Sequence, residues 1–332
     1  MKKPERIGVI GGGAWGTALA QTLSVAGHDV LLWAREPDVV ADINGTHTNS
    51  AFLPGVALEP GLKATADIAA VAARNPILMV APAQHVRHVG RQLSGMIAPG
   101  TSVIICAKGI EQATGKLMGE VLGEALPAAV PAVLSGPSFA ADVARGLPTA
   151  VTLATPDPDT GRALAAMLAG RHFRIYWTDD LIGTELGGAI KNVLAIAAGI
   201  VDGRGLGASA HAAMVTRGFA ELRRLGEALG ARSDTLMGLS GLGDLLLTCG
   251  SPQSRNMSLG RALGKGQALA DVLGSRRSVA EGVFTASAVV KVAAAHGVDM
   301  PIVAAVDAIV NGTLTIDAAI EALLSRPLRA EG

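Results

Sequence analysis

Through its first half the chain alternates short β-branched runs with longer stretches in which alanine and polar residues share the positions. RIGVIG (6–11), DVLLWA (29–34), PILMVAP (76–82), SVIICAK (102–108), AVLSG (132–136), TAVTLA (149–154) and FRIYW (173–177) have the length and residue types of strands. TALAQTLSVAG (17–27) and TADIAAVAARN (65–75), which lie between them, read as helices. This alternation predicts a parallel sheet with crossover helices, and strands so continuously apolar predict burial on both faces. From about residue 180 the strand signal stops. HAAMVTRGFAELRRLGEALG (211–230), VFTASAVVKVAAAHG (283–297), PIVAAVDAIVNG (301–312) and TIDAAIEALLS (315–325) repeat apolar residues every three or four positions, with glycine at the stops and Pro301 at a start. The expectation is an α/β sheet domain over residues 1–180 followed by an all-α domain over 181–332.

Composition narrows the function classes. A chain of 332 residues is long for one core, and 49% apolar against 17% charged residues describes a folded protein with large buried surfaces. Its 28 basic and 28 acidic residues cancel without a long single-sign run, which argues against nucleic acid and against a polybasic membrane anchor. Aromatic residues at 3% leave no stacking platform for single strands. Cys106 and Cys249 are too few for a disulfide framework, form no metal-ligand spacing, and fit a reducing cytoplasm. Lys2-Lys3 ahead of an apolar stretch faintly suggests a signal peptide, but Gly11-Gly12-Gly13 breaks the run such a segment needs. No segment is expected to span a membrane, and an alanine- and glycine-rich helical half this apolar suggests a homodimer.

TELGGAIKNVLAIAAGIVDG (184–203) is apolar almost all round, yet carries Lys191-Asn192 at its middle. Such a helix is normally buried, and a lysine is almost never fully buried without a partner. Either Lys191 reaches solvent along its own stem, or the fold holds an amine in a water-poor place.

Gly11-Gly12-Gly13-Ala14-Trp15-Gly16 satisfies G-x-G-x-x-G directly after a strand and at the opening of a helix, the context that makes the motif informative. Gly11 permits the turn, Gly13 lets the backbone approach a pyrophosphate, and Gly16 lets the helix close on the sheet. Ala14 and Trp15 complete the loop. Arg35 and Glu36 lie 19 and 20 residues after Gly16, where a carboxylate would hold the ribose of NAD and an arginine the 2′-phosphate of NADP. Both remain open, with NADPH favoured.

Further polar residues stand in small or apolar company. ICAKGIE (105–111) places Lys108 just past a strand, and SGPSFA (135–140) is a second strand end running into a turn. GLSGLGDLLLTC (238–249) holds Asp244 and Thr248, SPQSRNMSLG (251–260) holds Arg255-Asn256, and VAEG (279–282) holds Glu281. With GGGAWGTALA, AFLP (51–54), LGGAIKN (186–192) and TRG (216–218), these segments in this order resemble the NAD(P)-dependent glycerol-3-phosphate dehydrogenase family of bacterial type. The resemblance runs almost from end to end. It implies a Rossmann-type N-terminal domain, a helical C-terminal domain, an active site between them, and reversible reduction of dihydroxyacetone phosphate to sn-glycerol 3-phosphate, which feeds phospholipid synthesis.

Carried over by position, the resemblance implies that Lys191 is the proton acceptor and that Lys108 touches substrate and cofactor. It makes Asp244 an active-site acid and Gly136, Ser138, Ser254, Arg255 and Asn256 substrate contacts. Ala140, Arg255, Val279 and Glu281 become cofactor contacts beside the glycine loop. Two positions depart from the family pattern: Ser209 in GASAH (207–211) stands where asparagine is expected, and Ala14 replaces a frequent serine. The chemistry explains the residue types. Ketone reduction leaves an alkoxide that an ammonium can stabilise and protonate. A free lysine titrates near 10.4, so burial and a second cation at Lys108 are wanted to bring it down. Arg255 suits a phosphate, because its planar fork donates two parallel bonds. The rival readings are a β-hydroxyacid or ketopantoate-type dehydrogenase and a non-enzymatic dinucleotide sensor, which would not need Lys191, Lys108 and Arg255 together.

Overall fold

A computed structural model describes residues 4–274 and 280–327. The first half builds one sheet from β1 (Arg6–Ile10), β2 (Asp29–Trp33), β3 (Lys63–Thr65), β4 (Ile77–Met79), β5 (Ser102–Ile105), β6 (Val130–Ser135), β7 (Thr149–Ala154) and β8 (Phe173–Thr178). Their order across the sheet is β3-β2-β1-β4-β5-β6-β7-β8. Chain order therefore reverses between β1 and β4, the switch point at which open α/β sheets bind ligands beyond the carboxyl ends of their strands. Val9 of β1 lies between Leu32 of β2 and Leu78 of β4, all parallel. Helices α1 (Ala14–Val25), α2 (Pro37–Thr46), α3 (Ile68–Ala72), α4 (Val86–Leu93), α5 (Met118–Ala125), α6 (Ala140–Ala144) and α7 (Pro158–Leu168) belong to this half. The two faces of the sheet carry separate cores, one including Val9, Leu32 and Leu78 and the other Ile10, Met79 and Ile105.

All seven expected strands form, and two features differ from expectation. Lys63–Thr65 adds an eighth strand at the sheet edge, too short at three residues for its alternation to register. The sheet is also not wholly parallel: β7 runs antiparallel to β6, with Leu134 opposite Leu153, while β8 runs parallel to β7. An apolar run buried on both faces has the same composition in either direction, so the sequence carries no sign of the reversal.

The remainder is helical: α8 (Leu181–Gly203), α9 (Gly207–Ala228), α10 (Ser233–Met237), a π-helical turn (Leu239–Gly243), α11 (Asp244–Gly250), α12 (Arg255–Gly264), α13 (Leu269–Gly274), α14 (Glu281–Ala295), α15 (Pro301–Val310) and α16 (Ile316–Leu324). Asp180 caps α8 by accepting a hydrogen bond from the Gly183 amide at 2.8 Å. By length and composition α8 could cross a membrane, but 83% of its apolar window is buried inside the protein. Helices α11, α12 and α14 pack with α8 into a single core. The glycines of α8 serve that packing. A Cβ on Gly199 would lie 2.0 Å from the Met257 carbonyl, and one on Gly260 2.0 Å from the Ile196 carbonyl, so α8 and α12 meet backbone to backbone.

Candidate active site

Beyond the carboxyl end of β1 the chain turns at Gly11, whose φ of +125° suits glycine and where a Cβ would sit 2.9 Å from the Val80 carbonyl. Gly13 is the residue before α1, and a Cβ placed on it would meet no atom of the described residues within 4 Å. Gly16 has no such room: its Cβ would fall 1.9 Å from the Gly11 carbonyl. Ala14 and Trp15 form the first turn of α1, and the Trp15 indole Nε1 is buried without a hydrogen-bond partner among the described residues. Open ground before Gly13, at the amino end of a 12-residue helix, fits the pyrophosphate of a dinucleotide. Past β2, Arg35 donates to Glu36 Oε1 from Nε at 3.2 Å and from Nη2 at 2.9 Å. Both charges thus stand where the sequence places them, as one exposed pair.

Two strands further along the same edge, Lys108 follows β5 and the SGPSFA turn follows β6. Lys108 Nζ donates to the Gly136 carbonyl at 3.0 Å and to Asp244 Oδ2 at 2.7 Å. Gly136 has a φ of +145°, and a Cβ there would lie 2.9 Å from Val151 Cα. The Ser138 hydroxyl also donates to the Gly136 carbonyl, at 3.0 Å, and Ala140 opens α6 two residues later. Arg87 grips the loop after Lys108, its Nε and Nη2 each 2.8 Å from a different oxygen of Glu111.

Lys191 does not reach solvent. It is 7% exposed, donating to Asp244 Oδ1 at 2.6 Å and to the Thr248 hydroxyl at 2.8 Å. Asp244 is 0% exposed and opens α11 after the π-helical turn, so a single carboxylate is clamped between two ammonium groups. Burial brings the Lys191 amine down to about 8, Lys108 adds to the fall, and Asp244 opposes it. The nearby Cys249 thiol is pushed up to about 12 by burial, which leaves it protonated and inert.

Carboxamides tie the surrounding helices together. Asn256 donates to Asn192 Oδ1 at 2.9 Å and accepts from the Gly282 amide at 3.1 Å, and Asn192 donates to the Lys108 carbonyl at 3.3 Å. Ser254 caps α12 through the Met257 amide at 3.2 Å, and Arg255 is the first residue of that helix. Glu281 accepts from the Ala83 amide at 3.0 Å; burial pushes its carboxyl up, and Arg255 and Lys108 pull it down. Val279 lies outside the described residues. The sequence assigns no role to Asn192 or Thr248. Asn192 adjoins Lys191, and Thr248 stands one helical turn after Asp244, but a polar residue so placed is as often a local cap.

Elsewhere the chain finds close relatives. A model of the NAD-dependent glycerol-3-phosphate dehydrogenase N-terminus matches residues 6–169, and one of the C-terminus of the same enzymes matches residues 180–321. A glycerol-3-phosphate dehydrogenase (NAD(P)+) of Parvibaculum lavamentivorans is 60% identical over 98% of both chains. Another of that name from Caulobacter vibrioides is 59% identical over 98% of this chain and 99% of its own length. A crystal structure of glycerol-3-phosphate dehydrogenase from Coxiella burnetii superposes with a TM-score of 0.93 at 38% identity, covering 97% of this chain and 99% of that one. With both halves matched, and with a glycine loop and a two-lysine carboxylate clamp built from the motifs those halves contain, the chain belongs to the NAD-dependent glycerol-3-phosphate dehydrogenase family.

Proposed function

We propose that the protein reversibly reduces dihydroxyacetone phosphate to sn-glycerol 3-phosphate with NADH or NADPH, supplying phospholipid synthesis. The observation that carries this reading is the buried carboxylate of Asp244 between Lys108 and Lys191, which gives a ketone a fixed, water-poor ammonium. The bound dinucleotide supplies the hydride. Lys191 stabilises the developing alkoxide and delivers the proton at Nζ; with a pKa of about 8 it can take that proton back in the oxidation direction. Asp244 holds the amine in place and Lys108 steadies the carbonyl side. Gly136, Ser138, Ser254, Arg255 and Asn256 line the substrate side, with the Arg255 fork on the phosphate. Gly11, Gly13, Ala14, Trp15, Gly16, Arg35, Lys108, Ala140, Arg255, Val279 and Glu281 serve the dinucleotide.

Arg35 past β2 favours NADPH. The division between the two domains falls at residue 180, where β8 has ended and Asp180 caps α8. Two buried, unpaired thiols accord with a cytoplasmic protein. Leu206, Leu246 and Phe284 are exposed on the helical half, which supports a homodimer.

Turnover with dihydroxyacetone phosphate, assayed against a panel of oxo acids with NADH and NADPH separately, tests the substrate. Lys191→Ala is expected to bind NADPH normally and to lose at least ~10²-fold in turnover. Unchanged turnover in that variant would refute the proton-transfer role of Lys191, and absence of turnover in the wild type with every substrate of the panel would leave a dinucleotide sensor.

A further inference from the structure

The AFLP segment (51–54) has no part in the site described so far, yet the turn that begins it runs directly behind the glycine loop. Asn49 is 1% exposed and uses its whole carboxamide there. Its Nδ2 donates to the Gly12 carbonyl at 2.8 Å and to the Thr17 hydroxyl at 2.8 Å. Its Oδ1 accepts from the Phe52 amide at 3.1 Å, and its backbone carbonyl accepts from the Leu53 amide at 2.8 Å. Thr17, 0% exposed on the first turns of α1, donates to the same Gly12 carbonyl at 3.3 Å.

We propose that Asn49 is a positioning residue for the dinucleotide, holding the glycine loop open by satisfying the carbonyl of Gly12. The inference rests on the dinucleotide reading of that loop. The physical reason lies in what a phosphate-binding turn requires. Its amides must point outward at the anion, which sends an intervening carbonyl inward to a place without water. Gly12 is buried, and a Cβ on it would lie 2.5 Å from the Ala34 Cβ, so no solvent reaches behind the loop. An inward carbonyl left unsatisfied there is costly, and the loop would relieve it by rotating the Gly12–Gly13 peptide away from the geometry the pyrophosphate needs. Two donors, the Asn49 amide and the Thr17 hydroxyl, meet that carbonyl from different elements and remove the incentive to turn. Phe52 and Leu53 anchor the turn itself, because both pack with the core that includes Leu19 and Val39.

The carboxamide is needed for its donor, which sets the test. Asn49→Asp keeps size and shape but replaces the NH2 with an oxygen facing the Gly12 carbonyl. Titration of the folded protein with NADPH and with ADP-ribose, both carrying the pyrophosphate, is expected to show Kd raised about tenfold or more for each, or ~1.4 kcal/mol. The KM for dihydroxyacetone phosphate at saturating NADPH is expected to move less than twofold. Thr17→Val, which removes the second donor, is expected to weaken the same two ligands, and Thr17→Ser to restore them. Where Asn49→Asp folds poorly, the Thr17 pair carries the test, since valine and threonine are nearly the same shape. A variant that merely loses stability lowers the fraction of active protein without changing Kd, and that result overturns the proposal. So does an unchanged Kd in both Asn49→Asp and Thr17→Val. Failure of the wild-type protein to bind either ligand is a different outcome, and it overturns the dinucleotide reading itself.

Discussion

Replacing Asp244 by asparagine puts the largest charge change at the smallest change of shape. Asp244 accepts from Lys191 at 2.6 Å and from Lys108 at 2.7 Å while fully buried. Burial and Lys108 both lower the Lys191 pKa, and Asp244 is the charge that holds it up at about 8. The drop from the ordinary 10.5 already represents about 3–4 kcal/mol of preference for the neutral amine, at ~1.4 kcal/mol per pH unit. With the carboxylate gone, the largest influence opposing that preference is lost, only the smaller one of Cys249 is left, and the pKa falls below 8. Once it falls below neutrality, each further unit removes about nine-tenths of the ammonium at pH 7. Two effects are therefore expected in Asp244→Asn. Turnover falls by at least ~10²-fold, because the amine proposed as proton donor is both scarcer and no longer aimed. The decline of kcat/KM for dihydroxyacetone phosphate with rising pH, centred near 8 in the wild type, moves to lower pH. Stability should suffer less than the ~3–5 kcal/mol typical of an orphaned buried charge, since Lys191 can release its proton. The assay is NADPH oxidation across pH 6 to 10 with thermal melts on the same samples. A descending limb that stays at its wild-type pH, or moves upward, refutes the assignment of that limb to Lys191.

Gly16→Ala should abolish dinucleotide binding in a protein that still folds, because its Cβ would come within 1.9 Å of the Gly11 carbonyl; unchanged binding by calorimetry would contradict the packing account. Glu185, buried on α8 and accepting from the Gly119 amide at 2.6 Å, is pushed up to about 8 by burial. A carboxyl raised in the folded state stabilises fully below its unfolded value of 4.5, and that contribution is lost as pH rises to 8, at up to ~1.4 kcal/mol per unit. Glu185→Gln keeps an acceptor for the amide without the titration, so denaturant melts from pH 5 to 8 should show a flatter dependence than the wild type. Identical slopes would mean that Glu185 stays charged.

The lysine question posed by the sequence has an answer that sequence could only half supply. That α8 is a buried helix follows from its apolar surround, and that a lysine there needs a partner follows from electrostatics. Which partner is a matter of geometry. Asp244 lies 53 residues beyond Lys191 in the chain and 136 beyond Lys108. Asn192 and Asn256 are similarly remote from each other, and no spacing rule links them.

What the order of residues determined repeats or acts locally: seven of the strands, the helices of marked apolar periodicity, the glycine loop and the change of architecture near residue 180. Those features depend on side-chain periodicity and on backbone freedom, which neighbours along the chain decide. Tertiary structure decided the rest, namely the antiparallel direction of β7, the edge strand β3, the carboxylate shared by two amines, and the asparagine behind the glycine loop. Each of these is a contact between distant segments, and its energy comes from excluding water around groups that only the completed fold brings together.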